Sequence, residues 1–299
     1  MDSRTSTRLA WFAFVGLVMG AFSAVPAYAR WAELAPDNAS PEQRAFLQEL
    51  DKLKWVEGPT KVMLLGNADL QIPEGFVYLD STNTLRYLEL NQNLGGGSEV
   101  MIAPADLSWA AYLNFRDEGY VKDDEEIDAD ALLKQLQEAT EAANVERRKR
   151  GWEDMRVVGW ATPPNYNRQT KRLEWATKYE SGGQQGVNFF TKILGRRGHT
   201  SVQMVGAPEA LMTDEKALDN VLTGFAYNPG DTYAEYRPGD KVAEYGLAAM
   251  VVGGAAAVAT KKGLWPAIAA FFAAGWKLIA GAAVAAVAGI RSIFKKKDA

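Results

Sequence analysis

No cysteine occurs in the 299 residues, and histidine occurs once, at His199. Without cysteine the chain cannot form a disulfide, a thiolate zinc site, an iron–sulfur cluster or a thiol nucleophile. A single histidine rules out multi-histidine metal centres and leaves one candidate base for any Ser–His–Asp arrangement. The glycines of "NLGGGSEV" are not followed by the Gly-Lys-Ser/Thr step that a phosphate loop requires. No cofactor is implied. Clustered basic charge is also missing from the body. Residues 30–240 carry 34 acidic against 23 basic side chains, a net of −11, which argues against a nucleic-acid partner.

Apolar sequence is concentrated at the two ends. At the start, Arg4 and Arg8 precede an apolar stretch over 9–22, and Ala27-Tyr28-Ala29 is a small-x-small cleavage site. This pattern predicts a signal peptide over 1–29 and export of a mature chain beginning at Arg30. At the other end, apolar runs cover 245–260 and 264–290, parted by Lys261-Lys262-Gly263 and followed by Arg291 and Lys295 to Lys297. A bilayer core needs about 20 helical residues. The first run is short, and the second carries Lys277 mid-run, a costly position at the bilayer centre. One or two crossings are compatible with these lengths; the basic end favours one, from outside to inside. The expected organisation is a signal peptide at 1–29, an extracytoplasmic domain at 30–240 and a membrane-anchoring helical tail at 241–299. The lipid bilayer is then a partner, and the C-terminus is cytoplasmic.

Within the body, Ser40-Pro41-Glu42-Gln43 is a helix start: a capping serine, proline at the first helical position, and a glutamine that completes a capping box. A strand is expected over 60–65, two short strands about the turn at 73–75, and a helix over 82–91 with Leu85 and Leu88 inward. Trp109, Ala111, Leu113 and Phe115 alternate as in a half-buried strand. Four further strands follow, over 155–161, 173–180, 187–194 and 200–205, the second of them reading as one-sided because Leu173, Trp175, Thr177 and Tyr179 alternate with Glu174, Ala176, Lys178 and Glu180. "GRRG" links the last two as a hairpin, with Arg196 and Arg197 as solvated tip residues and His199 as an exposed residue just past the turn. Thr213 caps a last helix, and "NPGDTYAEYRPGD" reads as a linker towards the membrane. Consecutive short strands with hairpin-length links predict class α+β: a mainly antiparallel sheet with packed helices, followed by membrane helices.

The densest chemistry is "YVKDDEEIDADALL", with six carboxylates between Asp123 and Asp130. An EF-hand loop needs Gly at position six and Glu at twelve. Counted from Asp123 these are Asp128 and Lys134, and counted from Asp124 they are Ala129 and Gln135, so both registers fail. The run reads as a helix start, since acid there and Arg147 to Arg150 at the far end complement the helix dipole, with Gly151 as the C-terminal cap. The sharper alternative is a divalent-cation site at Asp123, Asp124 and Asp128. A second cluster gathers aromatic and basic side chains around "ATPPNYN". Trp160, Tyr166, Arg168 and Trp175 are the candidate ligand contacts, against the simpler reading that the tryptophans fill the core.

Six stretches carry a family resemblance: "GNADLQIPEGFVYLD", "EGYVKDDEEIDADALL", "GWATPPNYN", "LEWATKY", "VNFFTKILGRRG" and "DKVAEYGLAAMV". Together they resemble an uncharacterised bacterial family of predicted membrane-anchored proteins carrying a domain of unknown function. The resemblance implies an exported domain tethered by C-terminal helices and brings no reaction, ligand or catalytic residue. The expectation for function is a membrane-anchored cell-envelope module that binds or scaffolds an envelope protein, lipid or glycan. The alternative is a hydrolase acting on an envelope glycan through paired carboxylates. Whether the chain is an enzyme stays open at this level, and no catalytic residue is assigned.

Overall fold

The computed structural model describes residues 39–91, 97–149 and 153–253. The signal-peptide reading and the tail beyond residue 253 fall outside the described residues. Among the described residues no helix is long and apolar enough to cross a membrane.

The chain opens with helix α1 (Pro41–Asp51). Its capping box is formed: Gln43 N donates to Ser40 Oγ at 3.1 Å, and Ser40 N donates to Gln43 Oε1 at 2.7 Å. Strands β1 (Val56–Glu57), β2 (Thr60–Leu64), β3 (Ala68–Ile72) and β4 (Phe76–Leu79) follow, then α2 (Ser81–Leu90). Strands β5 (Val100–Pro104) and β6 (Ala110–Arg116) lead to the long helix α3 (Ala129–Lys149). Strands β7 (Met155–Asn167), β8 (Arg172–Ser181), β9 (Gln184–Leu194) and β10 (His199–Gly206) form a meander. Helix α4 (Leu211–Leu222), strand β11 (Phe225–Tyr227) and the short α5 (Leu247–Val251) complete the described chain.

Eight strands pair antiparallel in the order β1-β4-β5-β6-β10-β9-β8-β7, and β11-β3-β2 make a second, three-stranded sheet. The α+β class with a large antiparallel sheet and packed helices is what the strand pattern predicts. The turn at 73–75 does not close a hairpin, however: β3 and β4 belong to different sheets.

Alternation along the strands sends odd and even residues to opposite faces of the large sheet. One face carries Ala111, Leu113, Ala176, Phe189, Val202 and Met204 and is sealed by Leu64, Leu70 and Ile72 of the small sheet and by Leu218, Val221 and Leu222 of α4. The other face is covered at its two ends. Leu50 of α1, Leu53 just beyond its end and Leu88 of α2 pack on Met101, Ala103 and Tyr112 at one end. Leu132 and Leu136 of α3 and Leu247, Met250 and Val251 of α5 pack with Leu173 and Trp175 at the other. Strand β6 is therefore buried on both faces rather than half-buried, because Ala110 and Tyr112 also gain a helical cover.

Several local expectations change. "ATPPNYN" is not a loop but part of β7, the edge strand, where the last of three register shifts, between Thr162 and Asn165, spans Pro163 and Pro164. Proline lacks the N–H of a ladder donor, so an edge is where a sheet tolerates it. Thr213 lies inside α4, whose N-cap is Ala210. The segment after β11 packs on the body instead of leaving it as a linker. Thr232 and Glu235 form a capping box, Tyr233 is buried, and its hydroxyl donates to Val121 O at 2.8 Å. Tyr120 stacks on Tyr233 at 4.4 Å and lies 4.3 Å from Tyr236. Arg196 is no solvated tip, since its Nε and Nη2 each donate to the Asp240 carboxylate at 2.7 Å. Arg197 Nε donates to Asp231 at 2.8 Å. Packing continues past Asp240 to Val252, through a bridge from Val242 to Tyr120 and the buried face of α5.

Candidate functional site

The face of the large sheet with helices at both ends has a different middle. Strand register places Asn114, Ser201 and Lys192 abreast on β6, β10 and β9. One step towards the hairpin end, His199 sits beside Arg116; one step the other way, Gln203 lies between Tyr112 and Phe190; a further step brings Asn188 beside Thr177. Directly paired side chains across a ladder have Cβ atoms about 5 Å apart, and diagonal ones lie within reach of long side chains. These residues form one continuous polar strip between the two apolar ends.

The strip is buried at Asn114, Thr177, Asn188 and His199, half-buried at Lys192, Ser201 and Gln203, exposed at Arg116, and incompletely bonded. Asn188 is 1% exposed and His199 4%. Both amide atoms of Asn188, Nδ1 of His199 and Nε2 of Gln203 have no hydrogen-bond partner. A buried polar atom without a partner costs about 1–3 kcal/mol, so most are paired. Asn188 and Gln203 stand on diagonal positions, with His199 two ladder steps beyond Gln203, and their open atoms are a cost the fold would shed unless something used them. The placement of His199 corrects its reading as an exposed turn residue. It is the first residue of β10 and points into the sheet face rather than away from the hairpin.

Charge in the strip is tuned by this burial. Lys192 Nζ donates to Ser201 Oγ and sits 5.7 Å from the centroid of the Trp175 ring, which is stacked on Phe190 at 5.2 Å. Burial, with the nearby Arg116 cation, pulls the Lys192 ammonium down to about 7, and Glu118 offsets part of that. Burial, helped by Lys192 and Arg116, pushes His199 well below its ordinary range, so its imidazole is neutral at pH 7. Burial raises Glu118, which accepts a hydrogen bond from the Tyr245 hydroxyl. The arrangement offers cationic and amide donors around one internal carboxylate. It suits holding a polar solute and lacks a pair of free carboxylates for acid–base work.

The residues expected from sequence fall beside this strip. Trp160, Tyr166 and Trp175 do come together in the cluster under α3 and α5, but as packing. Trp175 is buried, and half-buried Trp160 donates from Nε1 to Ala129 O at 3.1 Å, pinning the start of α3 to the edge strand. Tyr166 donates to Asp123 Oδ2 at 2.8 Å, as does Lys171. Arg168 is exposed on the turn between β7 and β8 and stands apart from the other three.

The acidic run divides its labour. Only its end is a helix start: α3 begins at Ala129, where Asp128 Oδ1 accepts from Ala131 N at 3.0 Å. Asp123 lies upstream in extended chain; burial raises its carboxyl, but the bonds from Lys171 and Tyr166 prevail and hold it below the usual range. Asp124 is exposed, and Glu125 reaches Ala248 N at 3.0 Å. The structure does not gather Asp123, Asp124 and Asp128 into a cage, and among the described residues no three His, Asp or Glu side chains are grouped to hold a metal ion. Elsewhere, Glu174 and Asp219 are each 2.5 Å from Arg172 Nη2, an ion-pair tie between β8 and α4.

Sequence reasoning missed Lys192, Asn188 and Gln203. The signal that could have found part of the strip is in β10, "HTSVQMV", where His199, Ser201 and Gln203 alternate strictly with Thr200, Val202 and Met204. Alternation says that these three share a face, but cross-strand register is needed to place Lys192 and Asn188 next to them.

Comparison with known proteins is consistent with an uncharacterised domain. A family model described as "Protein of unknown function (DUF2167)" matches residues 56–288. No curated protein matches the chain. Among solved structures, the solution structure of cyanobacterial PsbP (CyanoP) from Synechocystis sp. PCC 6803 aligns with a TM-score of 0.32 and 10% identity, over 54% of this chain and 86% of that one. An overlap that loose carries no argument about function.

Proposed function

The chain belongs to the DUF2167 family of unknown function, and from that premise we propose that it is a membrane-anchored binding module of the cell envelope, with the polar strip on the eight-stranded sheet as its ligand site. The observation that carries this reading is the set of buried polar atoms left unpaired along one face of the sheet, at Asn188, Gln203 and His199. A solute that supplied their partners would recover part of the burial cost on binding. Anchoring rests on the sequence of the two ends: the Arg4/Arg8-led apolar start with its A-x-A site, and the apolar tail closed by Lys295 to Lys297. In this reading the body faces the extracytoplasmic side, and the packed segment around α5 holds it close to its anchor. The hydrolase alternative gains no support at Glu174 and Asp219, because Arg172 binds both carboxylates.

The site is tested with the full-length chain in mild detergent, by thermal shift against a panel of envelope-derived sugars, peptides and lipid headgroups. A ligand of the strip raises the unfolding midpoint by mass action, and Asn188→Leu abolishes that shift while leaving the protein folded. A ligand whose shift survives Asn188→Leu binds elsewhere and defeats the assignment. Anchoring is tested separately: the chain should stay with alkali-washed membranes, and reporter fusions after Lys262 and Lys297 should locate the tail.

A further inference from the structure

The chemistry around the strip also selects a class of ligand, if the strip is the binding site proposed above. The body has a net charge of −11 over residues 30–240, so cationic surroundings are not the rule in it. On this strip Lys192 and Arg116 lie one ladder step apart along the same face, and their charges, with that of Lys241, act on the Glu118 carboxylate. The Glu118 carboxylate is already held near these cations, and Arg116 acts on both Glu118 and Lys192 from one end of the strip. Towards the other end there is no charge among the paired positions: Gln203 offers a free Nε2 donor, and Asn188 offers a free donor and a free acceptor. The wall beside them is the Trp175–Phe190 stack. A fitting solute therefore has an oxyanion at one end and neutral hydroxyl or amide groups, able both to accept and to donate, at the other.

We propose that the strip binds a carboxylate- or phosphate-bearing polar solute, its anion seated on Lys192 and Arg116 and its neutral groups paired with Gln203 and Asn188. The anion takes up a second interaction for the Lys192 ammonium, which now has the Ser201 hydroxyl. The neutral end satisfies the amides that the fold leaves open. His199, neutral and unpaired at Nδ1, lies on the anion's side and supplies one more hydrogen-bonding position.

Four hexoses of matched size separate the possibilities: glucuronate and glucose 6-phosphate carry the two oxyanions, glucose none, and glucosamine the opposite charge. Binding is measured by calorimetry on the full-length chain in non-ionic detergent. The expected result is binding of one or both acids, at least about tenfold tighter than glucose and glucosamine, the better acid identifying the oxyanion. Lys192→Met should remove that preference, and Lys192→Arg should retain most of it, which separates charge from folding. Equal binding of all four sugars, lost in Asn188→Leu, overturns the anion class while leaving the strip as the site. Acid preference unchanged in Lys192→Met also overturns it, as does the absence of binding by both acids.

Discussion

Phe189 and Asn188 are neighbours in β9 and point to opposite sides of the same sheet. Phe189 is 1% exposed in the cluster shared with the small sheet and α4, surrounded by Ala176, Val202 and Met204. Asn188 is equally enclosed but has no partner for either amide atom. The first face is solved mainly as packing, with the Arg172 ion pairs to Glu174 and Asp219 at its margin. The second is solved as packing only at its ends, and the middle keeps polar groups that packing alone would replace. One backbone has thus been used twice, once for stability and once at stability's expense, the pattern expected where a binding site is built into a core.

Substitution of the two neighbours probes that contrast most directly. Phe189→Ala should cost about 3–5 kcal/mol, through lost burial and the cavity left behind. Asn188→Leu, one residue away, should be neutral or stabilising, because it removes two unpaired buried polar atoms. Chemical denaturation of both variants in the same detergent measures the difference. A loss in Asn188→Leu comparable to that in Phe189→Ala would mean that Asn188 is a structural residue, and the two faces would no longer differ in kind.

The elements themselves were far more legible in the sequence than the contacts that close the second face. Alternation in "LEWATKY", the Ser40–Gln43 capping box and the "GRRG" hairpin fix the class and most elements, because each is a local pattern within a few residues. What local patterns cannot supply is which distant segment closes a contact. Arg196 looks like a tip residue until Asp240, 44 positions later, binds it in two places. His199 looks exposed until Arg116 and Leu194 flank it in the ladder. The expected ligand contacts show the same limit of local patterns. Tryptophan and tyrosine attract attention as ligand contacts, yet Trp160 and Tyr166 are held by Ala129 and Asp123, whereas the open groups belong to residues as ordinary as asparagine and glutamine.

A second test of the contrast uses pH. The folded-state value of about 7 for Lys192 lies below its ordinary 10.5, so the folded protein binds fewer protons than the unfolded chain between those values. Stability then rises as pH increases from about 7 towards 10.5, and the burden of the buried ammonium is fully present below 7. Lys192→Met removes that burden. Its midpoint should exceed that of the parent at pH 6, and the gap should narrow by pH 9.5. A gap that is constant with pH would show that the ammonium is not what strains this face.

The smallest effect belongs to the rim of the well-packed face, where Asp214 lies close to Gly206 and Trp109: a Cβ placed on Gly206 would come within 3.0 Å of Asp214 Oδ2. Burial first, and the Asp106 carboxylate second, push Asp214 up to about 6. Here the folded state holds a proton that the unfolded chain has released, so stability falls as pH rises from about 4 to 6 and stays reduced above it. Asp214→Asn should therefore be stabilising at pH 7 and neutral at pH 4. The gain is limited because Asp214 lies in the first turn of α4, where a negative charge is favoured by the helix dipole. This dependence runs opposite to that of Lys192, although burial drives both. A protein in which the two variants shifted stability with the same sign of pH dependence would contradict the burial of at least one of them. Opposite slopes would place both charges in the interior, on the two sides of one sheet.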